Sequence, residues 1–327
     1  MLAPDPAAEE YAALLRRRRA ELAPHLDKHV TSQHVVSRVV LHRFGRIEDE
    51  KAGLQLARMD LHHLERRPKL TGPKGCGKVD NFIRYASEDA EKTWGRIETR
   101  LPVALAAADD GSILSHPDLI DIIKEVMALH VVRGKESAVI HKEAWSWIEA
   151  ASRHALRGQI EVLRQFTLAR TGLYLTGADW ADRAIDQLHA NTEADYDTGF
   201  LFRMQQERAF EKVRTFIHRH GLEFLESREA HFLIGDVPAV ATRQDRQEVG
   251  LLGGIAVDDA HSMVMPLGPS LTVATSPINA RGVVPPDIVE HLNKVQVAAA
   301  QDEVYFHPAS GLEDFVRREM ARMSGDE

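Results

Sequence analysis

The sequence predicts an α+β protein, with a helical body inserted between an N-terminal segment and a C-terminal, mainly antiparallel β-rich part. Three observations carry that expectation. Apolar residues recur at helical spacing from residue 86 to about 226. Beyond 226, Gly and Pro become frequent and short runs of Val, Ile and Leu replace the helical stripes. Helices and strands are thus segregated, whereas βαβ units would alternate them. The expected organisation is an N-terminal helix over 1–32, a discontinuous β-rich part made of 33–79 and 227–310, a helical body over 80–226, and a C-terminal helix and tail over 311–327.

Taken in order, residues 7–28 read as an amphipathic helix with Tyr11, Leu14, Leu15 and Leu22 near helical spacing, and Pro24 ends or kinks it. Arg16 to Arg19 read as a solvated face balanced by nearby Glu residues. The block 33–44 suits a helix by its apolar spacing and a strand by its β-branched content. Residues 53–61 suit a strand, 68–78 a loop rich in Pro, Gly and Lys, and 86–108 a helix with Trp94, Ile97, Leu101 and Leu105 on one face. From 116 to about 226 the pattern is nearly all helical, with Pro117 in a first turn, a short helix over 179–189, and a long one from Phe200 to Phe224 stopped near Gly221.

Strands are expected at 230–235, 250–257, 262–266 and 270–275. The runs 230–235 and 262–275 should pair in one sheet, with Met263, Met265 and Leu267 on one side and Val264 on the other. A helix over 285–300, a strand over 303–307 and a helix over 311–323 complete the chain.

Bulk properties narrow the function classes. The 327 residues are 44% hydrophobic and 28% charged, enough for a sizeable core in one large domain or two ordinary ones. A net charge of −8 gives no global basic footprint, so nucleic acid as a partner rests on a local basic site that net charge does not support. The single Cys76 forbids an intrachain disulfide and fits a reducing compartment. The N-terminus lacks the basic and apolar regions of a secretory signal, and no window approaches 18 uninterrupted apolar residues. A cytoplasmic protein with no membrane partner is expected.

Several motifs fall away on inspection. Gly72-Pro73-Lys74-Gly75-Cys76-Gly77-Lys78-Val79 approaches a phosphate-binding loop. However, Val79 stands where a Mg²⁺-binding hydroxyl belongs, no buried strand precedes it, and Pro73 removes one N–H. His62 and His63, with Asp60 and Glu65, read as solvated loop residues, because adjacent side chains point apart. Glu91 and Glu98 are two helical turns apart and share one face. They suit ligation of Mg²⁺ or Mn²⁺, orientation of a basic residue, or a surface stripe with Arg96 and Arg100. Arg133 suits a bidentate anion contact or a helix-end anchor. Asp236 follows Phe232-Leu233-Ile234-Gly235 and precedes Val237-Pro238. A carboxylate there can hold a metal, act as a base, or cap neighbouring backbone N–H groups.

The blocks His231 to Pro238, Met265 to Pro269, and Leu292-Asn293 through Val304-Tyr305-Phe306 resemble the bacterial family catalogued as domain of unknown function 4238, over about residues 30–310. In the N-terminal block His34, Val36, Leu41 and Phe44 match, while Val35 and Ser37 replace the family's Tyr and Pro. Ile97-Glu98 matches an Ile-Glu pair, Arg133 an Arg near a Pro, and Asn293 an Asn. Asp236 and Pro238 match a Ser-Asp-Asn-Pro block in which Gly235 and Val237 replace Ser and Asn. The resemblance implies architecture and little chemistry.

Two functional expectations stand side by side. One is a metal-assisted phosphodiester hydrolase, nuclease-like, with Glu98 and Asp236 holding Mg²⁺ or Mn²⁺, His34 as general base and Arg133 stabilising negative charge. The other is a non-enzymatic binding or regulatory module that needs these residues for its fold. Convergence of the four in one pocket favours the first; separate local networks favour the second.

Overall fold

A computed structural model describes residues 6–47, 50–51, 53–172, 174, 176–177, 179–243, 249–250, 253 and 255–325. The fold is α+β. Helix α1 (Pro6–Leu22) gives way to a 3₁₀ turn at Ala23–His25, where Pro24 denies the helix an N–H. The ambiguous block after it resolves into both readings, strand β1 (Ser32–His34) and helix α2 (Arg38–Arg43). Strands β2 (Arg46–Ile47), β3 (Leu54–Asp60), β4 (Lys69–Thr71) and β5 (Lys78–Asp80) follow. The segment expected as a loop therefore carries two short strands around the turn Pro73–Gly75, each paired with a distant partner.

The helix expected over 86–108 is two helices, α3 (Ser87–Glu98) and α4 (Leu101–Asp110). Pro102 lacks the N–H that would bond the Glu98 carbonyl, so the helix restarts with Pro102 in its first turn. The body continues with α5 (Pro117–Arg133), α6 (Lys135–Arg157), α7 (Ile160–Thr171), α8 (Trp180–Asp197) and α9 (Phe200–His218). The helical reading to 226 overshoots. Residues Gly221–Glu226 form strand β6, in which Leu222 and Phe224 alternate into the core. Gly221 is required there, because a Cβ would lie 2.2 Å from the Ile278 backbone.

The remaining elements are β7 (Ile234–Gly235), β8 (Val240–Thr242), β9 (Ser262–Gly268), β10 (Leu271–Ser276), β11 (Ala280–Val283), α10 (Pro286–Ala299), β12 (Glu303–Phe306) and α11 (Glu313–Ser324). Of the strand expected over 250–257, residues 251, 252 and 254 lie outside the described residues, and Val257 opens a 3₁₀ turn.

One sheet runs β11-β6-β10-β9-β8, antiparallel except for the β11–β6 pair. Along β9, Met263, Met265 and Leu267 enter the main core while Val264 faces the cluster with Phe232 and Leu292, as the alternation predicts. A second sheet runs β2-β3-β12-β7, with β4 also on β3. The expected pairing of 230–235 with 262–275 is corrected here, since β7 pairs with β12. The physical reason lies in the run before it: Phe232, Leu233 and Ile234 enter three different apolar clusters, so the segment crosses between the sheets. Helix α10 holds it there. Asn293 donates to the His231 carbonyl and accepts from the Leu233 N–H, both at 2.9 Å. Gln296 accepts from the Gly235 N–H at 2.9 Å and donates to the Pro238 carbonyl at 3.1 Å. Two side-chain amides thus replace the ladder that a neighbouring strand would supply.

Candidate functional site

Three of the four residues singled out by sequence meet at the start of the helical body. Arg133 ends α5 and is only 2% exposed, so its charge must be paired where water is excluded. One Nη donates to Glu98 Oε1 at 2.8 Å and the other to the backbone carbonyl of His34. Its guanidinium also lies 4.9 Å from the centre of the Trp94 ring. Glu91, Trp94 and Glu98 sit at helical spacing on one face of α3, which turns that face toward α5. Burial raises the pKa of Glu91; Arg133 opposes the rise and Glu98 adds to it. One Glu91 oxygen, Arg133 Nε and His34 Nε2 are buried with no hydrogen-bond partner.

The His34 imidazole is neutral at physiological pH. Burial, then the nearby Lys78, Arg38 and Arg133, push its pKa down to about 4. The start of α2 is tied to the same region. The Ser37 N–H donates to His130 Nε2 at 2.9 Å, and His130 Nδ1 donates to the Val126 carbonyl at 2.7 Å. The serine in the family's proline position thus supplies an N–H that proline could not. His130 is fully buried, and burial followed by Arg133 lowers its pKa to about 4.

Asp236 belongs to a different network. It is fully buried, and both its oxygens are engaged. Oδ1 accepts from the Gln301 N–H at 2.8 Å and Oδ2 from the Asp302 N–H at 3.0 Å, which caps the turn from α10 into β12. Lys135 Nζ lies 2.8 Å from Oδ2 and 2.6 Å from Asp302 Oδ2. Burial works against the Lys135 charge, but the two aspartates outweigh it and raise the pKa. Arg133 and Lys135 flank Gly134 and face separate carboxylates, so the junction of α5 and α6 divides the set: His34, Glu98 and Arg133 on one side, Asp236 on the other. Among the described residues, no contact joins Asp236 to Glu98, and no group of three or more His, Cys, Asp or Glu side chains is placed to hold a metal ion.

Two residues that act on His34, Arg38 and Lys74, also line an open cleft of about 600 Å³. Its walls are Arg38, Val39, His42 and Arg43 of α2, the turn at Pro73 and Lys74, and Pro102, Leu105, Ala106 and Asp109 of α4. Asp109 is held by both Nη atoms of Arg43, at 2.7 and 2.5 Å. Gly268 makes room for that arginine, since a Cβ there would meet Arg43 Nε at 2.8 Å. Arg38 and Lys74 are exposed and have no carboxylate partner among the described residues.

The phosphate-loop resemblance dissolves in three dimensions. The Gly75 and Cys76 N–H groups bond within the turn, and the Gly77 N–H donates to the Tyr305 hydroxyl at 2.9 Å. Those amides have no capacity left for a phosphate. His62 and His63 are exposed and pair with Asp302 and Asp60, both at 2.9 Å. In the sequence Trp94 stood out only as part of an apolar helix face and Tyr305 only as part of a matched block, and His130 and Lys135 carried no site role. The spacing of Glu91, Trp94 and Glu98 signals the first; the others face partners too distant in sequence for any local pattern.

The class defined so far is an α+β protein with two buried polar networks and a cationic cleft. The chain belongs to the family described as protein of unknown function (DUF4238), which matches residues 32–310. No curated protein and no solved structure matches it.

Proposed function

We propose that this chain is a non-enzymatic binding module in which the family-matched residues buttress the fold around the cleft. The observation that carries this reading is the engagement of Asp236: both oxygens accept backbone N–H groups and a lysine completes the site. A metal ligand would have to give up those partners, at about 1.5–3 kcal/mol for each charge-assisted bond. His34 supports it too, because an imidazole with a pKa near 4 is a weak general base at neutral pH. In this reading two of the polar contacts hold walls of the cleft, and a third joins elements outside its lining. Arg133 ties β1 to α3 and α5, Ser37 and His130 tie α2 to α5, and Tyr305 ties the 73–77 turn to β12.

The hydrolase reading is the second. The unpartnered Glu91 oxygen and His34 Nε2, both near Arg133, favour it as a small polar site. Cleavage of bis(p-nitrophenyl) phosphate with Mg²⁺ or Mn²⁺ separates the two. The module reading expects no metal-dependent turnover. Turnover that disappears in His34→Gln, with the melting temperature unchanged, would overturn it.

A further inference from the structure

We infer that the cleft between α2, the Pro73–Gly75 turn and α4 is a binding site for a small amphiphilic anion, a phosphate or carboxylate head on an aliphatic body. The inference rests on the binding-module reading and adds the class of ligand.

Size comes first. A cleft of about 600 Å³ lies within the range of roughly 300–1,000 Å³ typical of small-molecule sites. The lining divides into two chemistries. Val39, Pro73, Pro102, Leu105 and Ala106 give an apolar floor, and Arg38, His42 and Lys74 stand around it. Among the described residues the one carboxylate of the lining, Asp109, is neutralised by Arg43. Among the described residues, the positive charges of the lining left without a carboxylate partner are therefore Arg38 and Lys74, in a protein whose net charge is −8. Lys78 lies close enough to His34 to depress its pKa alongside Arg38, so a third cation adds to the field. Two exposed cations over an apolar floor can hold an anionic head while its body displaces water from the floor.

The same lining argues against nucleic acid. Single strands are held by aromatic stacking along an extended basic groove, and among the described residues no Phe, Tyr or Trp lines this cleft, only the imidazole of His42. The walls are also held in place before any ligand arrives. Arg43 is locked on Asp109, and α2 is pinned through Ser37 and His130. A preformed site spends little of its binding energy on ordering.

The test is a calorimetric titration of the full chain with octyl phosphate below its micelle concentration, beside inorganic phosphate and octanol. Octyl phosphate should bind at a one-to-one ratio, and the other two at least tenfold more weakly. The double variant Arg38→Glu with Lys74→Glu should weaken binding at least tenfold, as should Ala106→Trp, which fills the floor from an exposed position. Both variants alter surface residues, so thermal melts should match wild type; a variant that melts early is replaced by Lys74→Gln, expected to weaken binding several-fold. Octanol binding as tightly as octyl phosphate would overturn the anionic half of the inference, and equal binding of inorganic phosphate the apolar half. No binding, or binding unchanged in the variants, would overturn the site. That failure is distinct from failure of the module reading, which metal-dependent diester turnover would bring about.

Discussion

Lowering the pH from 7.5 to 5.0 should destabilise this protein through His130 in particular. The imidazole is fully buried, accepts the Ser37 N–H and donates to Val126, so a second proton would break one bond and charge a buried ring. Its pKa falls from 6.5 to about 4 on folding, with burial the leading cause and Arg133 the next. The folded state thus binds fewer protons than the unfolded chain between those values. Stability is fully present above about 6.5 and is lost as pH falls toward 4. At about 1.4 kcal/mol per pH unit the whole window is worth about 3 kcal/mol, of which about 2 is gone by pH 5. Urea unfolding of wild type and His130→Gln at both pH values isolates the term, because every other titrating group is shared. Wild type should lose about 2 kcal/mol more than the variant across that interval. Equal losses would refute the reasoning.

Two further outcomes follow from single groups. Burial pushes the Cys76 thiol up to about 12, so a disulfide reagent should leave the native protein unmodified and label it fully in urea. Asn293→Leu should cost about 2–4 kcal/mol in urea unfolding, because it strands the Leu233 N–H and the His231 carbonyl in the interior. A cost below about 0.5 kcal/mol would mean that α10 does not hold the crossing segment.

Local pattern made part of this structure legible. The alternation of Met263, Met265 and Leu267 against Val264 marked both the strand and its two faces, because those faces meet different clusters. The seven-residue spacing of Glu91 and Glu98 placed them on one face, and that face meets Arg133. Sequence failed where long-range contacts decide. Phe232 to Ile234 reads as a buried strand, yet its sheet was fixed by side chains of α10 and by β12. Leu222 and Phe224 alternate, but the signal is short and follows directly on a long helical stripe. The Asp236 turn showed a carboxylate at a strand end; the lysine that neutralises it comes from a helix start far upstream. The cleft was not foreseen at all, because Arg38, Lys74 and Ala106 converge only after folding.

The most direct test of the structural role assigned to the matched residues is a set of thermal melts of wild type and Asp236→Ala, with and without Mn²⁺. Removing the carboxylate leaves two backbone N–H groups without their acceptor and Lys135 with Asp302 alone. The expected cost is about 3–5 kcal/mol. Asp236→Ala should melt well below wild type, with Mn²⁺ shifting neither protein. A wild-type melt raised by Mn²⁺, with that rise lost in a variant that otherwise melts like wild type, would contradict the structural role.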